Sequence, residues 1–346
     1  MSEVITVLEA SKQAESYLQD HLHEYGYTVR CREESVGEIS LEEIEDTTVL
    51  VPFINSHISD EVMDALPHLQ LITTRSTGYD HIDIEAAKKR DISVTNVPTY
   101  GENTVAEHTF ALILALSRQL YPSFQRTDGL NFSPQGLEGF DLKGKTIGVI
   151  GTGNIGSHVI RMAYGFNMDI NAFDVNPDET LQQTYGVEYM AFEDVLQTSD
   201  IITLHVPHNE HTHHLINQDN IHQIKSGAYI INTARGGLIE TGALITGLRE
   251  GYIAGAGLDV LEEECNITDE AEVLTDAYLQ RCNIETVLQG HVLIKDSRVL
   301  VTPHNAFNSK EAKHRIWQTT VDNITNHIEN FETPNNIIPN WSYTDR

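Results

Sequence analysis

The segment VIGTGNIG, residues 149–156, constrains the fold of this chain more than any other feature. It follows the apolar run TIGVI and opens a helix-like stretch, NIGSHVIRMAYGF, which together indicate a strand, a glycine turn and a helix. In such a turn the first glycine permits the bend, the second lets a pyrophosphate approach the backbone, and the third lets helix and strand pack closely. The helix start also offers N–H groups to phosphates. The predicted phosphate-binding residues are Gly151, Gly153, Asn154, Ile155 and Gly156.

Asp174 supports a dinucleotide site. It ends the next predicted strand, INAFDV, at about the 20-residue spacing where a carboxylate binds both ribose hydroxyls of NAD and repels the extra phosphate of NADP. No arginine follows it directly, because the sequence continues DVNPDET. The simpler alternative is a glycine-rich turn beside a solvent-exposed aspartate. The strand–turn–helix context and the acid together favour NAD.

Strand-like runs alternate with helix-like runs on both sides of the glycine turn, which is typical of parallel sheets covered by helices. A long helix is predicted to begin near Asn103, with Thr104 and Glu107 as a capping box, and residues 127–144 are predicted to form a loop. The chain of 346 residues exceeds a typical single core. We therefore predict an α/β protein with two doubly wound parallel-sheet domains, Rossmann-like or flavodoxin-like. The predicted strands lie at 4–10, 27–33, 47–55, 69–76, 91–97, 145–151, 168–175, 200–207, 227–234, 252–261 and 297–303.

The net charge of −29 excludes some partners. A surface this acidic repels phosphate backbones, so we expect no nucleic-acid binding. It also requires a local positive group for any anionic substrate. The acidity is explained either by solubility or by adaptation to salt, which would screen the self-repulsion.

The apolar runs, such as ALILAL at 111–116, are far too short to span a membrane, and no basic leader precedes an apolar core at the N-terminus. We therefore expect no membrane association. The three cysteines, Cys31, Cys265 and Cys282, are scattered and odd in number. They indicate reduced thiols in a cytoplasmic protein rather than a disulfide framework.

Three segments after predicted strands carry candidate catalytic groups. NTARGGLI places Arg235 at one strand end, GLDVLEEE places acids after the next, and VTPHNAF places His304 after a third. Ligands of open parallel sheets bind beyond the carboxyl ends of the strands. Each group alone would more simply be a surface charge or a turn residue. Together they predict that an arginine, a glutamate and a histidine lie beside the nicotinamide.

At this point the sequence resembles the D-isomer-specific 2-hydroxyacid dehydrogenases over nearly its whole length. The resemblance is carried, in order, by RSTGYDHID, NVPTYGENTVAEH, VIGTGNIG, LHVP, INTARGGLI, GLDV and TPHNAF. The tyrosine in VPTYGENTVAEH, the run DVLEEE and the long insertion before His304 are most similar to the D-lactate dehydrogenase branch. Many relatives have proline after the catalytic glutamate, where this chain has Cys265. The family spacing selects Glu264 rather than Glu262 or Glu263.

The resemblance implies a role for each catalytic candidate. Arg235 would hold the substrate carboxylate and polarise the 2-oxo group. His304 would donate a proton to that oxygen during reduction and accept it during oxidation. Glu264 would orient the imidazole and favour its protonated form. No metal is needed for this chemistry.

The resemblance also assigns binding residues and a domain plan. A discontinuous substrate-binding domain would comprise 1–102 plus 305–346, an NAD-binding domain would comprise 103–304, and the catalytic cleft would lie between them. It implies a homodimer, with the long helix after Asn103 as an interface element. The implied substrate-binding residues are Thr77, Gly78, Tyr79, Tyr100 and Arg235. The further implied cofactor-binding residues are His205, Val206, Pro207, Thr233, Ala234, Arg235, Asp259 and His304.

Other histidines fit a structural role. Residues 204–217, LHVPHNEHTHHLIN, contain five histidines, and clustered imidazoles are a legitimate metal hypothesis. Only Glu210 accompanies them as an acid, so we favour a solvated turn over a metal site. His108, in VAEH, is interpreted as a hydrogen-bonding residue of the long helix rather than a second proton donor. The four histidines of the turn are His208, His211, His213 and His214.

The leading functional prediction is NADH-dependent reduction of pyruvate to D-lactate. One alternative is a D-2-hydroxyacid dehydrogenase of broader specificity that acts on larger 2-oxo acids. A different class is a non-catalytic NAD(H)-sensing protein of the same fold, but the set of Arg235, Glu264 and His304 favours the enzyme. Glu264 also argues against a formate dehydrogenase, since that branch has glutamine there.

Overall fold

The computed structural model describes residues 3–263, 283–330 and 333–338, and the chain divides into two compact units. Unit 1 comprises Met1–Tyr100 and Ser309–Arg346, and unit 2 comprises Gly101–Asn308. The predicted boundaries, after residues 102 and 304, lie close to these divisions. The substrate-binding and cofactor-binding roles of the two units stay predictions.

The helices and strands follow the predicted alternation. In chain order the strands are β1 (Val4–Val7), β2 (Thr28–Cys31), β3 (Val49–Val51), β4 (Leu71–Thr73), β5 (Ser93–Thr95), β6 (Thr146–Ile150), β7 (Asp169–Phe173), β8 (Glu188–Tyr189), β9 (Ile201–Leu204), β10 (Ala228–Asn232), β11 (Ile253–Leu258) and β12 (Val299–Val301). The helices are α1 (Lys12–His23), α2 (Asp60–Asp64), α3 (Ile84–Lys89), α4 (Glu102–Ser117), α5 (Leu120–Asp128), α6 (Asn154–Gly165), α7 (Glu179–Tyr185), α8 (Phe192–Thr198), α9 (Thr241–Glu250), α10 (Ile284–Lys295) and α11 (Lys310–Thr325).

Unit 1 is built on a five-stranded parallel sheet in the order β2-β1-β3-β4-β5, the flavodoxin-like arrangement. Strands β3, β4 and β5 are buried along their whole length, as expected for a sheet covered on both faces. Helix α11 completes this unit because Val321 and Ile324 pack into a core with residues of β1, β3 and α1. The C-terminal segment therefore belongs with the N-terminal sheet.

Helix α11 forms for reasons that its sequence shows. The Ser309 hydroxyl accepts a hydrogen bond from the Ala312 N–H at 3.0 Å, which caps the helix start. Buried residues then recur four positions apart, so one face of the helix meets the core. These residues are Ala312, Ile316, Thr320 and Ile324.

Unit 2 is built on a seven-stranded parallel sheet in the order β12-β11-β10-β9-β6-β7-β8. This is the Rossmann order with one further strand, and the order reverses between β6 and β9. Ligands of such sheets bind beyond the carboxyl ends of the strands at this switch point. The topology therefore confirms the predicted α/β fold class, and the expected ligand edge lies at the carboxyl ends of β6 and β9.

Six strands of unit 2 end at one level. Residue pairs link their last positions across the sheet, and this register line runs through Phe173, Ile150, Leu204, Asn232, Leu258 and Val301. The segments that follow these six strands therefore leave the sheet at the same edge, and each begins with the residue directly after its strand. In the same order these residues are Asp174, Gly151, His205, Thr233, Asp259 and Thr302.

The predicted capping box of α4 was wrong, although the helix begins within one residue of the predicted Asn103. The helix begins at Glu102 with Gly101 as its N-cap residue, and Thr104 is buried in the first turn instead of capping it. A threonine inside the helix has helical backbone angles, so it cannot provide the extended N-cap geometry that a capping box needs. The helix ends at Ser117, and Gln119, in the left-handed region at φ 51°, starts α5. Helix α5 reaches Asp128, so the loop predicted from residue 127 begins slightly later.

Candidate active site

The glycine turn between β6 and α6 has the predicted geometry. Gly151 adopts φ 91°, in the left-handed region that favours glycine, and a Cβ atom there would lie 2.7 Å from the His205 carbonyl oxygen. A Cβ atom at Gly156 would lie 2.0 Å from the Gly151 carbonyl oxygen, so only glycine permits this contact of helix and turn. At Gly153 a Cβ atom would meet no protein atom within 4 Å. Packing therefore does not require glycine at Gly153, and its role in cofactor binding stays a prediction.

The start of α6 fits a dinucleotide phosphate. Its N-cap residue, Gly153, provides no side-chain hydrogen bond to the helix. The first N–H groups, including those of Asn154, Ile155 and Gly156, therefore keep the positive end of the helix dipole available to an anion. The residues present fit the cofactor that the glycine pattern predicts.

The Asp174 carboxylate lies beside this turn. Its Oδ2 atom accepts hydrogen bonds from the Thr152 N–H at 2.6 Å and the Thr152 hydroxyl at 3.0 Å, and Oδ1 accepts from the Asn176 N–H at 2.8 Å. Asp174 is half-buried and follows β7 directly. The acid is thus fixed against the glycine turn, and ribose binding by Asp174 stays a prediction. Sequence reasoning missed Thr152, whose only signal was its place between two of the glycines.

The residues after β9 flank the same turn. A Cβ atom at Gly151 would lie 2.8 Å from Val206 Cγ1, so the Val206 side chain packs against the glycine turn. The Pro207 carbonyl oxygen accepts a hydrogen bond from the Thr212 hydroxyl at 2.6 Å. The His205 imidazole is 2.8 Å from the Thr203 hydroxyl through Nε2, while its buried Nδ1 has no hydrogen-bond partner within the described residues. Burial lowers the pKa of His205 to about 3, so the ring is neutral at physiological pH.

The turn after β10 presents Arg235. The Asn232 side chain shapes it, since its amide donates to the Arg235 carbonyl oxygen at 2.8 Å and its oxygen accepts from the Ala234 N–H at 3.0 Å. A Cβ atom at Gly236 would lie 1.8 Å from the Leu261 carbonyl oxygen. The arginine turn therefore packs directly against the chain that leaves β11.

Thr233, which precedes Arg235 in this turn, is anchored from helix α4. Its hydroxyl is 2.9 Å from the hydroxyl of Thr109, and both residues are buried.

Asp259 and His304 meet after β11 and β12. The Asp259 carboxylate accepts from the Thr302 hydroxyl at 2.5 Å and from the N–H groups of Asn305 and Ala306, each at 2.8 Å. The Asp259 carbonyl oxygen accepts the His304 N–H at 2.8 Å. His304 itself adopts φ 48°, a left-handed conformation that costs energy outside glycine. Asp259 therefore holds the whole turn that carries His304.

The third catalytic candidate, Glu264, lies outside the described residues. Its two neighbours in the run of acids are described, and they differ. Glu262 accepts His214 Nε2 at 2.5 Å through Oε1 and the N–H and hydroxyl of Thr241 at 2.9 and 2.6 Å through Oε2. Glu262 thus has a structural role. For Glu263, the main effect is burial of the carboxyl group, which raises its pKa. The choice of Glu264 as the catalytic acid stays a prediction.

In unit 1, the segment after β4 presents backbone donors. The Thr77 carbonyl oxygen accepts a hydrogen bond from the Asn96 side-chain amide at 2.8 Å. The Gly78 carbonyl oxygen accepts one from the Ser76 hydroxyl at 2.6 Å. Within the described residues, no acceptor is recorded for the N–H groups of Thr77, Gly78 and Tyr79. Backbone N–H groups can bind an anion, and their binding of the substrate carboxylate stays a prediction. Tyr79 is 42% exposed.

Tyr100 follows β5 and is half-buried. Its carbonyl oxygen accepts the Arg315 Nε–H at 2.7 Å, so helix α11 fixes the backbone at this position. Strands β4 and β5 are neighbours, with Thr73 paired to Thr95. The two predicted substrate-binding segments of unit 1 therefore leave the same sheet edge.

The histidine-rich turn after β9 is a hydrogen-bonded loop. His208 Nε2 is 3.1 Å from His213 Nδ1, and the rings of His213 and His214 stack with centroids 3.8 Å apart. His211 is exposed and lies 3.6 Å from Glu210. Among the described residues, no group of three or more histidine, cysteine or acidic side chains could hold a metal ion. The solvated-turn interpretation stays a prediction.

Comparison with known proteins decides the family. Residues 110–306 match the family described as D-isomer specific 2-hydroxyacid dehydrogenase, NAD binding domain. The chain belongs to the D-isomer-specific 2-hydroxyacid dehydrogenase family. Members are NAD-dependent oxidoreductases that act on 2-hydroxyacids, and NAD is the cofactor that the matched domain binds.

Similar members of this dehydrogenase family cover most of the chain. D-lactate dehydrogenase of Escherichia coli is 33% identical over 96% of this chain and 99% of its own. Glyoxylate reductase of Pyrococcus horikoshii is 39% identical over 83% of this chain and 81% of its own. The structure of D-lactate dehydrogenase from Aquifex aeolicus, complexed with NAD and lactic acid, superposes with a TM-score of 0.84 at 33% identity, covering 95% and 96% of the two chains.

Proposed function

We propose that this dehydrogenase interconverts a small 2-oxo acid and its D-2-hydroxy acid, with pyruvate and D-lactate as the principal pair. The observation that carries this proposal is the register line of unit 2. The segments with Arg235, Asp259 and His304 follow three neighbouring strands, β10, β11 and β12, and they begin at the same sheet edge as the glycine turn after β6. A cation, a carboxylate and an imidazole at such an edge suit reduction of a 2-oxo acid.

The proposed roles follow from the chemistry of each side chain. The Arg235 guanidinium binds the substrate carboxylate and stabilises the negative charge that develops on the 2-oxo oxygen. The His304 imidazolium donates its proton to that oxygen, and Glu264 favours the protonated ring. Bound NADH supplies the hydride that reaches C2 of the substrate. In the reverse direction His304 accepts the hydroxyl proton.

The N–H groups of Thr77, Gly78 and Tyr79 are proposed to bind the substrate carboxylate as well. Backbone donors are well suited to this protein, because its strongly acidic composition leaves few side-chain cations for an anionic substrate. Tyr79 and Tyr100 are the proposed side-chain contacts of the substrate.

Pyruvate is favoured among the 2-oxo acids by the breadth of the similarity. The Escherichia coli D-lactate dehydrogenase matches almost end to end, whereas the Pyrococcus horikoshii glyoxylate reductase is more identical over a smaller share of the chain. Glyoxylate is therefore the second candidate. Larger 2-oxo acids remain the broader-specificity alternative.

Steady-state reduction by NADH tests this choice. The substrates are pyruvate, glyoxylate, hydroxypyruvate, phenylpyruvate and 2-oxoisocaproate, each over a full concentration range. We expect the highest kcat/KM with pyruvate and formation of the D isomer. A higher kcat/KM with glyoxylate or with a branched substrate would reject pyruvate, and no reduction of any of them would favour an NAD(H)-sensing protein.

A homodimer is proposed from the surface of α5 and the segment after it. Helix α5 buries none of its residues, and Phe124, Leu130 and Phe132 are 68%, 82% and 80% exposed. Large apolar side chains clustered in one segment indicate a covered surface, and a second copy of the chain is the proposed partner. Sedimentation of Phe124→Asp should show a shift toward monomer if this surface forms the dimer.

The scattered cysteines support a cytoplasmic location.

A further inference from the structure

We propose that His108 is a positioning residue for His304 and that it acts through Thr302 and Asp259. The proposal rests on the proposed function, in which the His304 imidazole exchanges a proton with the substrate. His108 lies in α4, which reaches the turns after β11 and β12 from outside the sheet, and it needs no contact with the reacting atoms.

The contact is specific. His108 Nε2 lies 3.0 Å from the Thr302 hydroxyl oxygen and 3.4 Å from Asp259 Oδ1. The His108 side chain is 20% exposed, and the Asp259 side chain is fully buried. Thr302 is the residue that immediately follows β12 at the register line, two positions before His304. A residue of the long helix therefore touches the turn that carries the proposed proton donor.

The direction of the hydrogen bonds follows from counting protons. An ionised carboxylate can only accept, so the single hydroxyl proton of Thr302 is donated to Asp259 Oδ1. The Thr302 oxygen must then accept from His108, and the His108 Nε2 atom must carry hydrogen. Burial raises the pKa of Asp259, but hydrogen bonds from His108, Thr302, Asn305 and Ala306 lower it overall, so the carboxylate is ionised. The chain of donors runs from His108 through Thr302 to Asp259.

Asp259 passes this restraint to His304. Its two carboxylate oxygens accept the N–H groups of Asn305 and Ala306, and its carbonyl oxygen accepts the N–H of His304. These bonds hold His304 at φ 48°, a conformation that persists only where its surroundings impose it. If Asp259 rotates, the acceptors move and the imidazole leaves its position. His108 and Thr302 prevent that rotation.

The test compares His108→Ala, His108→Gln and Thr302→Val. Removing the imidazole should lower kcat roughly ten- to a hundredfold, because small displacements of a catalytic group are costly. KM for NADH should change little. The glutamine side chain retains an N–H donor and should restore most of kcat. His291→Ala is the control, since His291 is an exposed histidine of α10, and it should leave kcat unchanged.

A double variant separates positioning from general packing. If the restraint passes through Thr302, His108→Ala should have almost no further effect on kcat in the Thr302→Val background. If the two substitutions instead lower kcat independently, so that their factors multiply, the proposed route is wrong. Unchanged kcat in folded His108→Ala, or no recovery in His108→Gln, would also reject it.

A second measurement does not depend on activity. Amide hydrogen exchange of residues 304–306 in the cofactor-free protein should accelerate in His108→Ala and Thr302→Val and stay unchanged in His291→Ala. Unaccelerated exchange there would count against the proposal whatever the substrate is. Failure of the wild-type protein to reduce any 2-oxo acid, with accelerated exchange in both variants, would reject the proposed function while upholding the structural link. Should His108→Ala fail to fold, His108→Gln and Thr302→Val carry the same comparison.

Discussion

The His304 N–H donates to the Asp259 carbonyl oxygen at 2.8 Å, so the residue that immediately follows β11 restrains the residue proposed to transfer the proton. The Asp259 side chain strengthens this control by accepting three further hydrogen bonds from residues 302–306. Asp259 thus has a structural task within the site, in addition to its expected place near the nicotinamide.

Asp259→Asn tests that task. An amide group replaces one of the two accepting oxygens with N–H donors. Those donors would face the N–H of Ala306 on one side or the donors of Thr302 and Asn305 on the other. The free energy of unfolding should therefore fall by about 1–3 kcal/mol. Because the pKa of Asp259 is lowered in the folded state, its contribution is present above the unfolded pKa and is lost as pH falls through the folded pKa. The stability difference between wild type and variant, measured by urea unfolding, should be full at neutral pH and shrink below about pH 4. A difference that is constant with pH would contradict this assignment.

His304→Asn tests proton transfer without disturbing the backbone. Asparagine tolerates the left-handed region better than alanine, so the φ of 48° can be kept. Turnover should fall by about 10²–10⁴-fold, the usual contribution of general acid–base catalysis. NADH affinity, measured by fluorescence titration, should stay within a few-fold of wild type. Retained turnover would remove His304 from the mechanism.

Asp174→Asn tests cofactor choice. The wild-type carboxylate should repel the 2′-phosphate of NADPH, so the ratio of kcat/KM with NADH to that with NADPH should fall at least tenfold in the variant. Glu179→Gln, in the nearby α7, removes an exposed carboxylate and serves as the control. Wild-type preference for NADPH would show that Asp174 has been misinterpreted.

Glu262→Gln tests the bond between the histidine-rich turn and α9. The wild-type carboxylate joins His214 to Thr241, and an amide can satisfy only one side, so the variant should lose about 1–3 kcal/mol of unfolding free energy. Burial raises the pKa of Glu262, but hydrogen bonds from Thr241 and His214 lower it overall. Glu250→Gln, at an exposed helix end, should be near neutral in the same urea titration. Equal stability of the two variants would argue that the Glu262 contacts contribute nothing.

Metal removal tests the histidine-rich turn. Turnover should be unaffected by prolonged dialysis against a chelator, because Arg235 and His304 are proposed to polarise and protonate the substrate without a metal ion. Elemental analysis before and after dialysis gives the control. Activity that disappears with the metal and returns with added zinc would show that the turn had been misread.

Strong local patterns predicted most of the fold. Glycines at 151, 153 and 156 between a strand and a helix fix one βα turn, and alternating runs identify all but one of the strands in the described part of the chain. The missed strand is β8, which has only two residues, Glu188 and Tyr189, and so shows no period. The capping box was predicted from the spacing of Thr104 and Glu107, but Thr104 is buried inside the first turn of α4 and Gly101 is the N-cap residue.

The site was predictable only in part. The rule that ligands meet the carboxyl ends of parallel strands predicted the positions of Arg235, His304 and an acid of the run after β11, whereas Asp259 was assigned by the family resemblance. The supporting residues Thr152, Thr109 and Thr302 could not be predicted, because a threonine near a strand end has many possible partners and only the folded chain selects one. The partner of His108 is 194 residues away in sequence, a separation that no local pattern reports.

Six strands of unit 2 end at the same register line, and this arrangement also limits how compact a bound dinucleotide can be. Neighbouring strands are about 4.8 Å apart, so the ends of β7 and β11, four strand positions from each other, lie about 19 Å apart along this edge. A molecule whose ribose meets Asp174 and whose nicotinamide meets Asp259 must therefore be bound stretched out rather than folded. The sheet thus sets the distance between the two ends of the bound dinucleotide, and a one-residue deletion within β6 or β9 would turn the buried side chains of that strand to the opposite face.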